Sequence, residues 1–365
     1  MKKQVLIFFA LLGSLSVQAQ RMDDVTEHSP YIKVVDEYNP APGQFVNVHP
    51  IYEAGDDAAA MARKCTDSIA NNKRSLIALG GCGGYVTFHF DHSIANVKDQ
   101  NDVLILGNCF FENNSEPGII MISKDVNQNG LPDDPWYELT GSADVDSVGK
   151  VVYGYSITYS RPTTEDYDGT PSPVSKDITV DDYIPWSDNQ GASGFMHKNR
   201  YNEQTYYPQW VSSDQLTFGM QTLLPKNATN TLSYPYENWL LKPLAWGYVD
   251  NKPNADLEAC SFNFDNAVEV VSRQPVVIDF VDFIRVYNAI NQDCGWIGET
   301  STEVTGAEDL HLDTSIQRIK DSLAGIRTLQ TAPRSSDDCY DLQGRKTHAV
   351  GKGLYIRNGK KYFVK

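Results

Sequence analysis

The sequence predicts an all-β protein, an antiparallel β-sandwich or jelly roll with one short helix near the N-terminus and a small C-terminal β-appendage. Three observations support this fold class. Many short apolar or alternating runs are separated by clusters of Gly, Asn, Asp or Pro. The 365 residues include 26 Gly and 18 Pro, a turn-rich composition that is typical of β-proteins. A single segment has a clear helical period.

The helix is predicted over residues 56–72, where Asp56 or Asp57 can cap the first turn. Apolar residues recur there at spacings of three and four, which makes one stripe for burial. The stripe consists of Ala58, Met61, Ala62, Cys65 and Ile69. Short strands are predicted after it, because apolar runs there alternate with turn residues. Those strands are 75–80, 85–90, 102–106, 118–123, 151–159, 206–210, 216–220, 245–249, 276–280 and 283–289.

Four segments are predicted along the chain. Residues 1–19 have the basic start, the apolar run and the small residues before a cleavage site that define a signal peptide. The apolar run is too short for a transmembrane helix, so the protein is expected to be secreted. Residues 20–312 form the β-sandwich domain, 313–338 a partly helical linker, and 339–365 a basic β-tail with an Asn358-Gly359 hairpin turn.

The formal charge is −16, from 31 basic and 47 acidic residues, and this balance excludes nucleic acid as a partner. The six cysteines of an exported chain predict one or two disulfides beside buried free thiols, in preference to full pairing. No metalloprotease, nucleophile-elbow or phosphate-loop motif is present, so no catalytic residue is predicted.

A calcium loop is predicted at residues 125–134, where oxygen-bearing side chains recur at alternate positions and Gly130 provides the sharp turn. Trp136 replaces the usual bidentate Glu, and Asp134 or Glu138 can substitute for it. The alternative is a solvated turn that holds no ion. The predicted calcium ligands are Asp125, Asn127, Asn129, Leu131, Asp133 and Asp134.

A ligand surface is predicted where aromatic rings stand beside amide and carboxylate groups. A ring can stack on the apolar face of a sugar while polar groups bind its hydroxyls. The alternative is that these rings fill the core. The predicted ligand-binding residues are Trp186, Asp188, Asn189, Tyr206, Tyr207, Trp210, Trp246 and Tyr248. A separate acidic group consists of Glu299, Glu303, Glu308 and Asp309. This group is either a second cation site or a solvated edge.

Several motifs carry a resemblance to known proteins. They are GGYVTFHFD at 83–91, LILGN at 104–108, EPGIIMISKD at 116–125, WYEL at 136–139, WSDNQG at 186–191 and CGWIGETS at 294–301. Residues 34–312 thereby resemble a family of Bacteroidetes cell surface proteins and, more remotely, galactose-binding-type jelly rolls. The resemblance implies a surface β-sandwich without assigned catalytic residues. It also implies a partnership with outer-membrane uptake complexes for glycans or corrinoids.

The C-terminal tail carries a second resemblance. Its YDLQGR, GLYI and NGKKYFVK segments resemble the sorting modules that the type IX secretion system reads. This resemblance implies display on the outer surface of the outer membrane or secretion. The alternative is a small β-appendage that packs on the main domain.

The sequence therefore predicts a secreted or cell-surface protein that captures a glycan or another small nutrient without catalysis. Calcium is the predicted cofactor. The alternatives are a glycoside hydrolase that uses paired carboxylates, such as Asp181 with Asp182 or Asp279 with Asp282, and a purely structural or adhesive surface module.

Overall fold

A computed structural model describes residues 27–165, 168–331, 339–340, 346–347, 353–357 and 360–364, with side chains up to residue 322. The predicted signal peptide at 1–19 lies outside the described residues. The chain divides into two compact units, one that ends at Ser315 and one that begins at Ile316. The described part contains no helix that is long and apolar enough to cross a membrane.

The all-β prediction is confirmed, because every strand ladder in the described part is antiparallel and only two α-helices occur there. The helices are α1 (Ala58–Ile69) and α2 (Leu312–Thr331). The strands are β1 (Val34–Asn39), β2 (Ile77–Ala78), β3 (Tyr85–Ala95), β4 (Val103–Leu106), β5 (Gly118–Ser123), β6 (Trp136–Leu139), β7 (Val152–Ser160), β8 (Ile178–Asp188), β9 (Ser193–Asn199), β10 (Gln215–Leu223), β11 (Ala228–Asn230), β12 (Trp239–Leu241), β13 (Ser261–Phe262), β14 (Ala267–Val268), β15 (Phe280–Asn288), β16 (Glu303–Val304), β17 (Gly306–Asp309), β18 (Cys339–Tyr340), β19 (Lys346–Thr347), β20 (Gly353–Arg357) and β21 (Lys360–Val364).

The first unit is built on two larger sheets. One has six strands in the order β1-β3-β15-β5-β6-β14, and the other has four in the order β10-β7-β8-β9. Smaller sheets pair β13-β4-β17, β2-β16 and β11-β12. This arrangement is a β-sandwich-like all-β fold, whereas the jelly-roll topology stays a prediction.

The six-stranded sheet forms around strands that are apolar on both faces. All six residues of β5 are buried, and β5 lies between β15 and β6. A strand with such a continuous Ile-rich run has to be covered on both sides, which places it inside the sheet. The main hydrophobic core therefore surrounds β3, β5 and β15, with Phe88, Ile122 and Ile284 among its members.

The four-stranded sheet buries tyrosines. Tyr155, Ile157 and Tyr159 alternate along β7 and are 1% exposed, so they form the buried face of this strand. They pack with Tyr183 of β8 and with Tyr206, which follows β9. Each large ring removes much apolar surface from water, and this burial stabilises the sheet.

The helix prediction is confirmed with ends that differ by a few residues. Asp57 is the N-cap of α1, and its Oδ1 accepts a hydrogen bond of 2.7 Å from the amide of Ala60. Four of the five predicted stripe residues are buried, and Ala58 in the first turn is exposed. The stripe covers the main core from one side.

Three predicted strands are wrong. Residues 206–210 form a loop because Pro208 lacks the amide that a ladder needs, while the rings of Tyr206 and Tyr207 are buried. Residues 245–249 bend at Gly247, whose φ is +94°. Residues 276–280 lie outside the strands except for the last, and Val277 is 99% exposed.

The disulfide prediction is also wrong for the described thiols, because Cys65, Cys82, Cys109, Cys260 and Cys294 are free and buried. Small apolar thiols pack well in a core without a bond between them.

In the second unit, β20 and β21 pair antiparallel from Gly353 with Val364 to Arg357 with Lys360. This pairing is the one that the Asn-Gly turn predicts, although residues 358–359 themselves lie outside the described residues.

Candidate functional site

An open cleft of about 780 Å³ lies where several loops of the first unit meet. These loops follow β1, β9 and β15, precede β8, and connect β4 with β5 and β11 with β12. A volume of this size is within the range of ligand-binding sites, and loops held by a rigid sheet scaffold commonly carry such sites. The residues that the cleft brings together are Gln44, Phe45, Asn114, Lys176, Asp177, Tyr201, Asn202, Leu232, Tyr236, Glu237, Trp296 and Ile297.

Three aromatic rings stand exposed on the cleft walls. Tyr236 is 66% exposed, Tyr201 is 59% exposed and Trp296 is 44% exposed. Tyr201 and Trp296 meet edge to face with ring centroids 6.4 Å apart. Large rings are usually covered in a folded protein, so three of them grouped around one concavity are typical of an interaction surface.

A tight turn after β15 presents Trp296. The amide of Cys294 donates to the carbonyl of Gly298 at 2.7 Å, and Gly295 and Gly298 have φ values of +62° and +95°. A Cβ on Gly295 would lie 2.2 Å from Oε1 of Glu237, so only glycine allows this approach. The two glycines thus shape the turn that carries Trp296 at the cleft.

Glu237 ties three of the loops together. Its Oε2 accepts hydrogen bonds from the hydroxyl of Ser175 at 2.7 Å and from the amide of Trp296 at 3.2 Å. Charge-assisted hydrogen bonds of this kind are stronger than neutral ones. The carboxylate therefore fixes the position of the cleft wall.

The polar groups of the cleft are held by neighbours. Asp177 pairs with Lys176 at 2.6 Å and with Arg200 at 3.3 Å. Buried Gln44 accepts from the side-chain amides of Asn199 at 3.0 Å and Asn202 at 2.6 Å. The cleft thus offers ammonium, amide and carboxylate groups in fixed positions beside its rings.

A second cavity, of about 290 Å³, adjoins the cleft and shares Gln44, Phe45 and Ile297 with it. Its wall is acidic, and its other lining residues are His49, Leu76, Asn108, Glu116, Glu299, Ser301 and Glu303. Gln44 connects the two spaces, because its backbone amide donates to Oε1 of Glu299 at 2.8 Å.

Burial perturbs the acids of this region. It raises the pKa of Glu299 to about 8 and the pKa of Asp250 to about 6. The pKa values of Glu116 and Glu303 are raised well above their ordinary value, first by burial and then by the neighbouring negative charges. Perturbed acids of this kind cluster at functional sites, which makes this wall part of the candidate site.

The predicted acidic group is divided by the structure. Glu299 and Glu303 lie with Glu116 and Asp250. In contrast, Glu308 pairs with Arg74 at 3.5 Å, and Oδ2 of Asp309 lies 2.8 Å from Nε2 of His92.

The eight predicted ligand-binding residues do not share one surface. Tyr206, Tyr207 and Tyr248 are 0–3% exposed. Trp210 stacks on Tyr38 in the main core with centroids 5.7 Å apart. For these four rings the structure matches the core alternative rather than the ligand surface.

The other four predicted residues lie in two places. Asp188 and Asn189 form the turn after β8, where Oδ1 of Asp188 accepts from the amide of Ala192 at 2.8 Å. Trp186 lines a cavity of about 230 Å³, and Trp246 lines another of about 380 Å³. None of the eight lines the cleft.

The 125–134 loop is compact and exposed. Asp125 accepts from the amides of Asn129 at 3.1 Å and Gly130 at 2.8 Å. Asp134 accepts from the amide of Val126 at 2.8 Å, and Asp133 accepts from the side-chain amides of Asn127 and Asn129. Leu131 is 55% exposed. The calcium site stays a prediction, and within the described chain the carboxylates of the loop are not among the groups of three whose ligand atoms lie within 4.8 Å of one another.

Sequence reasoning missed Tyr201, Tyr236 and Trp296 as site residues. For Trp296 the sequence indicates only a turn, because Gly295 and Gly298 flank it closely in Cys294–Gly298. Tyr201 and Tyr236 carry no such signal, since their neighbours Tyr206 and Tyr207 have the same residue type and are buried.

No protein-family model matches the chain, and no curated protein matches it. The cleft and its acidic wall are therefore interpreted from their own chemistry.

Proposed function

We propose that this protein is an exported binding protein that captures a glycan in the cleft without catalysis. The observation that carries the proposal is the group of three exposed rings, Tyr201, Tyr236 and Trp296, around a cavity of about 780 Å³. Rings of this kind provide rigid apolar area for the carbon face of a sugar.

The polar residues of the cleft complement the rings. Lys176, Asn202 and Asn114 line the same space and offer donors and acceptors at the rim. A pyranose stacked on Trp296 would direct its hydroxyls toward such groups. A few placed polar groups within a largely apolar pocket are the usual basis of ligand orientation.

The carboxylates of the cleft favour binding over hydrolysis. Asp177 is paired with two cations, and Glu237 accepts hydrogen bonds from two loops. Both groups are already engaged in holding the cleft walls, whereas hydrolysis requires one carboxyl to donate a proton and the other to act as nucleophile or base.

A glycan array probed with the full chain tests this proposal, followed by calorimetric titration of each sugar that binds. Cyanocobalamin is included as a corrinoid probe. We expect saturable binding of at least one oligosaccharide and no product release when the same polysaccharide is incubated with the protein. Release of oligosaccharides would favour the hydrolase, binding of cyanocobalamin alone would favour the corrinoid ligand, and no binding at all would favour the structural or adhesive module.

The proposed location at the cell surface is supported by the sequences of residues 1–19 and 339–365. The proposed signal peptide at 1–19 leads to export, and the tail at 339–365 serves as a sorting signal for the type IX secretion system. An outer-membrane uptake complex is the proposed partner. Deletion of 339–365 should leave the protein inside the cell envelope. Protease treatment of intact cells measures this, and unchanged surface exposure after deletion would contradict the sorting role.

For the 125–134 loop we retain calcium as the proposed structural cofactor. An ion that binds only the folded state stabilises it, so chelator should lower the unfolding temperature and excess calcium should restore it. In the variant Asp125→Asn, chelator and calcium should change the unfolding temperature less than in the wild type, because the loop no longer binds the ion. Unfolding followed by circular dichroism measures this, and an identical response in wild type and variant would count against calcium in the loop.

A further inference from the structure

Four carboxyl groups from three parts of the chain lie at the acidic wall: Glu116, Glu299 and Glu303 line the cavity, and Asp250 lies beside Glu116 and Glu303. Glu116 lies just before β5, and Asp250 follows directly after Val249. Glu299 follows the turn that carries Trp296, and Glu303 is the first residue of β16. Ligand oxygens of Glu116, Asp250 and Glu303 all lie within 4.8 Å of one another. Together with Glu299, which lines the same cavity, they form what we call the acid cluster.

The acid cluster receives hydrogen bonds chiefly from backbone amides. Oδ2 of Asp250 accepts from the amide of Glu303 at 2.9 Å, and Oε1 of Glu116 accepts from the amide of Ser301 at 3.0 Å. Within the described chain, none of the ion pairs closer than 4.0 Å involves the four carboxyls. The negative charges are therefore not balanced by a lysine, arginine or histidine partner.

Uncompensated charge of this density is costly. Asp250, Glu299 and Glu303 are 3–4% exposed, and each buried carboxylate loses its hydration. Four carboxylates at this proximity also repel one another, since a neighbouring negative charge disfavours ionisation. Either protons or a cation must neutralise the cluster.

The surroundings of Glu299 favour a cation over protons. Its Oε1 accepts from the amide of Gln44, but its Oε2 is buried and has no hydrogen-bond partner. A protonated oxygen would be expected to donate to an acceptor, and a buried polar atom without a partner is rare in folded proteins. Glu299 lines the cavity beside Glu116 and Glu303, and its unpartnered oxygen is free to coordinate a cation.

We propose that the acid cluster binds one divalent cation of the hard class, Ca²⁺ or Mg²⁺, through Glu116, Asp250 and Glu303, with Glu299 as a further oxygen ligand. The donor set contains only oxygen, which suits these ions and not zinc or copper. A cavity of about 290 Å³ leaves room for water molecules that complete the coordination. This site is separate from the 125–134 loop, and the proposal does not depend on the glycan ligand.

The ion would link four segments of the first unit. It would hold the start of β5, the bend at Asp250 and the start of β16 beside the loop that carries Trp296. Because Glu299 lies three residues after Trp296 and contacts Gln44, the ion would stabilise one wall of the cleft from behind.

Calorimetric titration with CaCl₂ and with MgCl₂ tests the proposal on the chelator-treated full chain that carries Asp125→Asn, so that the loop is disabled. We expect one ion bound per chain. Adding Glu303→Gln or Glu116→Gln should weaken the affinity at least tenfold, because each removes one ligand charge. The exposed Glu258→Gln, which removes the same charge elsewhere, is the matched control and should leave the affinity unchanged.

Two results would overturn the proposal. One is the absence of Ca²⁺ and Mg²⁺ binding in the Asp125→Asn chain, which would assign the cluster to protons. The other is unchanged affinity in both glutamine variants. Metal analysis of the purified Asp125→Asn chain adds an independent readout that needs no substitution in the acid cluster: one equivalent of calcium or magnesium supports the site, and zinc alone contradicts the hard-cation assignment.

Discussion

The tyrosines beneath the cleft and the aromatic rings on its walls have similar chemistry and opposite environments. Tyr206 is fully buried and meets Tyr183 edge to face at 5.2 Å. Tyr201, five residues earlier on the same loop, is 59% exposed and meets Trp296 edge to face at 6.4 Å. Both pairs of rings meet edge to face, so the two pairs differ in how much other residues cover them and not in their ring geometry.

The backbone decides this difference. Asn199 ends β9, and its amide donates to the hydroxyl of Tyr206, so the ring is directed into the sheet core. Trp296 stands on a turn in which Gly295 and Gly298 have positive φ, and its ring is 44% exposed. A ring is therefore buried or exposed according to the backbone that carries it, and residue type alone does not decide which.

The largest expected difference between the buried tyrosines and the exposed rings of the cleft is in their contribution to the free energy of unfolding. Tyr206→Ala removes a fully buried ring and should lower the free energy of unfolding by about 3–5 kcal/mol. Tyr201→Ala removes an exposed ring and should change it by about 0.5 kcal/mol or less. Urea unfolding measures both, and equal losses would show that the two rings are equally structural.

A smaller effect is expected at the turn that presents Trp296. Gly295→Ala places a Cβ against Glu237 and forces a left-handed residue, at a cost of about 1–2 kcal/mol for the backbone alone. Gly191→Ala is the matched control, because Gly191 has a φ of +82° but open space around it. Gly295→Ala should be the less stable variant, and only it should weaken ligand binding. Similar behaviour of the two variants would remove the positioning role of the turn.

The free energy of unfolding should also depend on pH because of the buried tyrosines. Burial raises the pKa of Tyr206 and of Tyr159 above the ordinary value of 10.0. The folded state therefore holds these protons more tightly than the unfolded state, and the resulting stability is present below pH 10 and lost as the pH rises beyond it. Absorbance at alkaline pH should show tyrosines that ionise only on unfolding. Full ionisation of all tyrosines in the folded chain near pH 10 would contradict the burial.

Much of the fold can be predicted from the sequence because its signals are local. The cap at Asp57 and the stripe of Met61, Ala62, Cys65 and Ile69 define α1, and the Ile-rich run of Gly118–Ser123 has the bounds of β5. Residues 206–210 were predicted as a strand because apolar alternation outweighed Pro208. Pairing between distant strands, such as β3 with β15, has no such local signal.

The candidate site is harder to predict for the same reason. The proposed ligands of the calcium loop follow one another between Asp125 and Asp134, so their spacing is visible in the sequence. The acid cluster joins residues 116, 250, 299 and 303, which only the sheet topology brings together. The cleft is assembled from six loops in the same way, and its exposed rings cannot be distinguished by spacing from buried ones.

The most direct test of the central claim, that the exposed rings of the cleft form the glycan surface, compares two tryptophans of equal exposure. Trp296 on the cleft is 44% exposed, and Trp246 outside it is 43% exposed. Trp296→Ala should weaken calorimetric binding of an oligosaccharide identified on the array at least tenfold, about 1.4 kcal/mol, while Trp246→Ala should bind as wild type does. Unchanged binding by Trp296→Ala, or loss of binding by Trp246→Ala instead, would contradict the assignment of the cleft.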